Sequence, residues 1–164
     1  MCAGSTPPCT GFSSKLLYQV LTAPVDNYTM EACPTSTSPV VLLVDDNSLA
    51  LALMATSLKE LGCSVLSAGN GQEALAILQH SGPSVDLVVT DLQMPVMDGL
   101  ELLRTIRMSE PLKHLPVILC SGDMEEAMMN RAAEYGCTRY LVKPVFPDFL
   151  FEQIVTLLER AAAA

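Results

Sequence analysis

From Val40 onward the chain alternates short runs of β-favouring apolar residues with longer stretches of helical periodicity, five times over. The first run, Val40 to Val44, is apolar at every position, the pattern of a strand covered on both faces of a parallel sheet. Asn47 and Ser48 then offer N-cap side chains, and Leu49 to Leu61 reads as a helix stopped by Gly62. A second strand, Ser64 to Ala68, leads through Gly69, Asn70 and Gly71 into a helix over Gln72 to His80. A third, Leu87 to Thr90, ends at Asp91 and is followed, after a loop, by a helix over Gly99 to Ile106. Pro111 and Pro116 bracket the link to a fourth strand, Val117 to Cys120, and a fourth helix is expected over about Glu125 to Tyr135, closed by Gly136. The fifth strand spans Arg139 to Val142, and Pro147 starts a last helix running to about Arg160. Five strands alternating with five helices imply an α/β fold, a doubly wound parallel sheet with right-handed crossovers. Periodicity does not give the strand order.

In such sheets ligands bind beyond the carboxyl ends of the strands, near a topological switch point. Asp45 and Asp46 follow the first strand, Asp91 the third, Ser121 the fourth and Lys143 the fifth, so all five belong at that edge. Each also has an ordinary structural reading: acidic residues cap helices, Ser121 could cap the fourth helix, and Lys143 could be a surface lysine. One sheet edge collecting all five favours a joint chemical role. Two like charges about 4 Å apart repel by roughly 4 kcal/mol at an effective dielectric near 20, so grouped carboxylates need a counter-charge. Lys143 supplies one, and a divalent metal would supply two. Mg²⁺ suits the set best, because it prefers oxygen ligands and is held by one or two carboxylates plus a phosphate. A carboxylate nucleophile beside Mg²⁺ can accept a phosphoryl group as an acyl phosphate, with metal and lysine neutralising the transferring oxygens.

The run from Asp91 through Gln93, Met94, Pro95 and Met97 to Asp98 and Gly99, with Val44-Asp45-Asp46, Ser121-Gly122 and Lys143-Pro144, resembles the receiver domain of two-component response regulators. The resemblance covers about Val40 to Arg160, with the motifs in order and intervals of 30 residues from Asp91 to Ser121 and 22 from Ser121 to Lys143. It implies a flavodoxin-like sheet of order 2-1-3-4-5. It also implies that Asp91 is the phosphoacceptor, attacking a phosphohistidine on a sensor histidine kinase or phosphotransfer protein. Asp46 matches the direct Mg²⁺ ligand, Asp45 its neighbour acting largely through water, and the main-chain carbonyl of Gln93 completes the protein ligation. Ser121 would hydrogen-bond one phosphoryl oxygen and Lys143 pair with another, while Tyr140 matches the aromatic switch that turns inward with Ser121. The output face would be helix four, strand five and helix five, with Met124, Met128 and Met129 near its start; the unusually apolar first helix could dock the phosphodonor. Met94, Pro95 and Met97 are expected to shape the loop and pack beneath helix three. Gly122 should leave phosphoryl access open, and Asp123 could influence hydrolysis of the acyl phosphate.

Composition changes near residue 39. The segment before it is rich in Ser, Thr, Pro and Cys, with one weak apolar stretch, Leu16 to Leu21, too short for an independent helix. Residues 1–38 are therefore expected to be a disordered extension and 39–161 the receiver domain, with Met30 an alternative translation start. The chain ends soon after the fifth helix, which suggests a stand-alone receiver with no output domain, acting through an unidentified downstream protein. A net charge of −9 argues against direct nucleic-acid binding over a broad surface. No apolar run reaches the ~20 residues that span a bilayer, and a secretory signal is not evident, so the expected location is cytoplasmic without a membrane partner. The six cysteines form no CxxC pair and only His80 and His114 accompany them, which favours free thiols over disulfides or zinc. Two other functions are weighed. A phosphatase or phosphotransferase turning over an external substrate would place a second acid two residues after the nucleophile, where this chain has Gln93. A phosphorylation-independent receiver-like scaffold would show a broken acidic set, which here is complete. The chain is thus expected not to be an enzyme beyond self-phosphorylation and autodephosphorylation.

Overall fold

The computed structural model describes residues 38–80, 85–123 and 125–163. The expected N-terminal extension up to residue 37, with the Leu16 to Leu21 stretch and Met30, lies outside the described residues, as does Met124. The elements run β1 (Val40–Val44), α1 (Ser48–Glu60), β2 (Ser64–Ala68), α2 (Gly71–Gln79), β3 (Leu87–Asp91), α3 (Gly99–Met108), β4 (Val117–Ser121), α4 (Glu126–Glu134), β5 (Arg139–Val142) and α5 (Pro147–Ala162). The strands form one parallel sheet in the order β2-β1-β3-β4-β5.

Alternate residues of each strand enter different cores. Val41, Leu43, Val89, Ile118, Cys120 and Leu141 face α1 and α5, packing on Leu58, Leu150, Ile154 and Leu157. Leu42, Val44, Val88, Val117 and Leu119 face the other side, against Ala74 of α2, Leu103 and Ile106 of α3, and Ala132 of α4. The all-apolar strands of the sequence are therefore two-sided, and each fully buried Leu or Ile contributes about 1.5–3 kcal/mol. The register pairs Val44 with Ala68 and Thr90, Asp91 with Cys120, and Ser121 with Val142. It brings the ends of β1, β3, β4 and β5 level at one edge.

Helix ends depart from expectation by one or two residues, for local reasons. Asn47 caps α1, its side chain accepting from the Ala50 amide at 3.1 Å, so Ser48 is already helical. In α3 the helix continues to Met108 because Arg107, though polar, is tied down: its guanidinium donates to the carbonyls of Leu115 (2.8 Å) and Gly136 (2.8 and 3.1 Å). Ser121 is the last residue of β4 and does not cap the fourth helix; its Oγ accepts from the Asp123 amide at 3.2 Å, closing a tight turn instead. Helix α4 starts at Glu126 without a side-chain cap, and α5 runs one residue past the expected domain end at 161.

Cys120 and Cys137 carry free thiols. Burial pushes the Cys120 thiol up to about 12, with Lys143 pulling weakly the other way. Because its folded value lies above the unfolded one near 9, this thiol favours the folded state fully below pH 9 and progressively less from there to pH 12. The slope from this group is at most about 1.4 kcal/mol per pH unit. The urea midpoint of the natural chain should therefore fall more between pH 8 and pH 10.5 than that of Cys120→Ala; parallel declines would refute the buried-thiol contribution.

Candidate functional site

The site is built by three strand ends. After β1, Asp45 folds back on its own turn, its Oδ1 accepting from the Asn47 amide at 2.8 Å. At the end of β3, Asp91 accepts the Leu92 amide on Oδ1 at 2.8 Å. From the end of β5, Lys143 donates from Nζ to Asp45 Oδ2 and to Asp91 Oδ2, both at 2.9 Å. Its amide donates to the Ser121 carbonyl at 2.7 Å, so the lysine is held to the strand beside it. The lysine spans 98 residues of sequence to reach Asp45. Asp46 stands beside them, more exposed, and one oxygen from each of Asp45, Asp46 and Asp91 lies within 4.8 Å of the others.

The electrostatics follow from that count. Three carboxylates face one ammonium, leaving an excess of about two negative charges, and each carboxylate pair at such separation repels by roughly 3 kcal/mol at an effective dielectric near 20. Burial works most strongly against the Lys143 charge, but the hydrogen bonds and charges of Asp45 and Asp91 together outweigh it and hold the ammonium above the ordinary lysine value. Lys143 is therefore charged throughout the neutral range. The excess charge and the purely oxygen donor set fit a small hard divalent cation.

Around this centre, Ser121 is almost fully buried at 3% exposure, and its Oγ accepts a bond while its hydrogen stays available to donate. A Cβ on Gly122 would meet no atom within 4 Å, so the space beside that residue is open. Tyr140, half-buried, packs against the α4-side core and donates from its hydroxyl to the Asp123 carbonyl at 3.3 Å. It thus touches the turn that Ser121 closes. A hollow of about 410 Å³ opens beside the carboxylates, lined by Asp46, Leu92, Gln93, Met94, Pro95, Asp98 and Met128. Met94 and Met97 pack against the α3-side core, in keeping with a shaping role for the loop.

Three features of the site left no mark in the periodicity. Thr90 is fully buried and its hydroxyl donates to the Asp91 carbonyl at 2.9 Å. Val96 holds a φ of 71°. Gly99, read from sequence as a helix start and as the end of the run that carries the family resemblance, sits so close to the Asp91 carbonyl oxygen that a Cβ would overlap it.

The family model described as the response regulator receiver domain matches residues 41–155. The chain belongs to that family. Among similar receivers, the chemotaxis protein CheY of Pseudomonas aeruginosa is 39% identical over 121 residues, covering 73% of this chain and 96% of that protein. The two-component response regulator ORR5 of Oryza sativa subsp. japonica is 37% identical over 111 residues, 68% of this chain and 82% of that protein. A crystal structure of a receiver domain protein from Clostridium thermocellum matches with a TM-score of 0.70 at 31% identity, covering 76% of this chain and 98% of that one. Membership places the protein in two-component signalling, in which receivers accept phosphoryl groups from histidine kinases, and receivers generally bind Mg²⁺ at an acidic pocket. In this chain Asp45, Asp46 and Asp91 form an acidic cluster at the carboxyl edge of the sheet. Among the described residues, no helix is long and apolar enough to cross a membrane.

Proposed function

We propose that this receiver takes a phosphoryl group from a phosphohistidine on a sensor histidine kinase or phosphotransfer protein onto Asp91, in the cytoplasm and with Mg²⁺, and signals through the face formed by α4, β5 and α5. The observation that carries the reading is the bridging of Asp45 and Asp91 by one lysine at 2.9 Å, with a third carboxylate completing an oxygen cage. Asp46, Asp91 and the Gln93 carbonyl would hold the ion, with Asp45 acting through water. When bound, the ion neutralises charge on the phosphoryl oxygens.

The chain's own residues do the rest. A carboxylate oxygen of Asp91 attacks phosphorus, the P–N bond breaks with its electron pair going to the imidazole, and a mixed anhydride remains on Asp91. Lys143, already bonded to Asp91, aims the carboxylate and then pairs with a phosphoryl oxygen. Ser121 donates its free hydroxyl hydrogen to another. Because Ser121 Oγ also holds the Asp123 amide, and the Asp123 carbonyl holds Tyr140, a shift of Ser121 moves a connected turn and an aromatic ring on β5. The phosphoryl group carries about −1.5 to −2 charges in place of the single charge of the carboxylate, together with three acceptor oxygens, enough to bias such a two-state surface. Leu49 and Leu53 of α1, 69% and 63% exposed, offer the phosphodonor an apolar landing. Water, with Asp123 nearby, later hydrolyses the anhydride, and no external substrate is turned over.

Intact mass after incubation with a small acyl-phosphate donor tests this. One phosphoryl group should be gained with Mg²⁺ and none when the metal is chelated. A folded protein that gains nothing from either the small donor or a phosphorylated histidine-phosphotransfer domain would favour a phosphorylation-independent binding module.

A further inference from the structure

The loop after β3 carries the Gln93 carbonyl, and its conformation is costly. Met97 donates to the Pro95 carbonyl at 2.8 Å across Val96, whose φ of 71° puts a β-branched residue in the left-handed region. A three-residue turn of this kind is rare, and such backbone strain costs about 1–3 kcal/mol and persists where the surroundings over-determine it. Among the described residues, Asp98 caps the adjoining α3, accepting from the Leu102 amide on its carbonyl at 3.0 Å and from the Glu101 amide on Oδ1 at 2.7 Å, and one further hydrogen bond ties residues 93–98 to another element: the Gly71 amide, at the start of α2, donates to the Met97 carbonyl at 3.2 Å. This uses a helix N-terminal amide that has no partner within its own helix.

Gly71 does not sit at positive φ, so its backbone asks for no special residue. Space does. A Cβ on Gly71 would lie 2.7 Å from Met97 Cγ, 2.9 Å from Met97 O and 3.0 Å from Met97 Sδ. One of these contacts is with backbone and cannot be relieved by a side-chain rotation. The residue next in the chain to the strained Val96 is thus seated against a helix end that has been cleared of side chain.

We propose that Gly71 is a positioning residue for the Mg²⁺ site: by letting Met97 dock on the N-terminus of α2, it holds the loop in the conformation that presents the Gln93 carbonyl. The proposal rests on the reading above that this carbonyl is a ligand. Alanine favours helices over glycine by up to about 1 kcal/mol, so a purely local view has Gly71→Ala neutral or stabilising. Positioning instead predicts weaker metal binding, by about tenfold, the lower end of the range for groups that orient ligands.

The test is an amide-resonance titration with Mg²⁺ on the natural chain, Gly71→Ala, Met97→Ala and Asp46→Asn. We expect the Kd to rise about tenfold in Gly71→Ala. It should stay within about twofold in Met97→Ala, since the docking bond uses main-chain atoms. Hydrogen exchange of the Gly71 amide in the natural chain gives a second readout that needs no variant. By reciprocity, saturating Mg²⁺ should slow it by a comparable factor. If Asp46→Asn abolishes binding while Gly71→Ala leaves Kd and Mg²⁺ leaves Gly71 exchange unchanged, the positioning role fails and the site stands. If the natural chain shows no Mg²⁺ shifts, or Asp46→Asn does not weaken them, the site reading fails and the proposal with it. Should Gly71→Ala not fold, the exchange measurement decides alone.

Discussion

Replacing Asp91 by asparagine should abolish phosphoryl uptake while leaving the domain folded and, without metal, more stable by about 1 kcal/mol. The amide has the shape of the carboxylate and keeps an acceptor for the Leu92 amide, but it has no anionic oxygen with which to form an acyl phosphate. The gain in stability comes from charge. In the natural chain three carboxylates whose oxygens lie within 4.8 Å share one ammonium. Removing one negative charge relieves two repulsions at the expense of one of the two Lys143 contacts, and the Asp45 contact at 2.9 Å remains. Solvent reaching Asp46 and Lys143 screens these terms, so only a fraction of the roughly 3 kcal/mol per pair is expected to survive. Intact mass and urea unfolding in chelator, run on the same samples, check both halves. A phosphoryl group still taken up by Asp91→Asn would show that the acceptor lies elsewhere, and a lowered urea midpoint would show that attraction to Lys143 outweighs the repulsion.

The second large effect is structural. Gly99→Ala should lower stability by about 3 kcal/mol and slow phosphorylation. The new methyl would fall on the Asp91 carbonyl oxygen, with Leu119 Cδ2 at 3.0 Å and the Asp91 carbonyl carbon at 3.1 Å closing the other directions. Two of these three atoms are backbone. Gly99 also donates its amide to the Leu92 carbonyl at 3.0 Å, so the start of α3 cannot back away without breaking the bond that closes the loop. Any relief must move the end of β3, and with it the Asp91 side chain relative to Lys143. Gly122→Ala is the control: with nothing within 4 Å of its Cβ it should change stability by no more than about 0.5 kcal/mol. Urea unfolding should show the Gly99→Ala midpoint lowered at unchanged m-value. Equal stability of the two variants would refute the collision.

How far the chain could be read depends on the range of the interactions involved. The strands β1, β2 and β5 coincide with their expected bounds: β1 is apolar at every position, as burial on both faces requires, while the edge strands β2 and β5, which carry Ser64, Ser67 and Arg139, are short β-favouring runs set off by Gly62, Gly69, Gly136 and Pro144, and both patterns are local. Helix starts followed Asn47, Asn70 and Asp98, whose side chains accept from amides three residues on. Helix ends did not, since α3 is prolonged by Arg107 reaching carbonyls 8 and 29 residues away. The positions of Asp45, Asp46, Asp91, Ser121 and Lys143 at one edge were legible for the same reason as the strands: each follows an apolar run, and parallel strands end on one side.

By itself, then, the sequence determined the alternation of elements, the two-sided burial of the all-apolar first strand and which charged groups stand at the carboxyl edge, all of which follow from short-range pattern. Tertiary structure decided what those groups touch. That Lys143 spans Asp45 and Asp91, that Tyr140 holds the turn closed by Ser121, and that Gly71 and Gly99 are bare so that Met97 and Asp91 can approach, depend on strand order, register and backbone separations of a few tenths of an ångström. Such distances are set by the packing of segments far apart in the chain, and no local pattern of residue types encodes them.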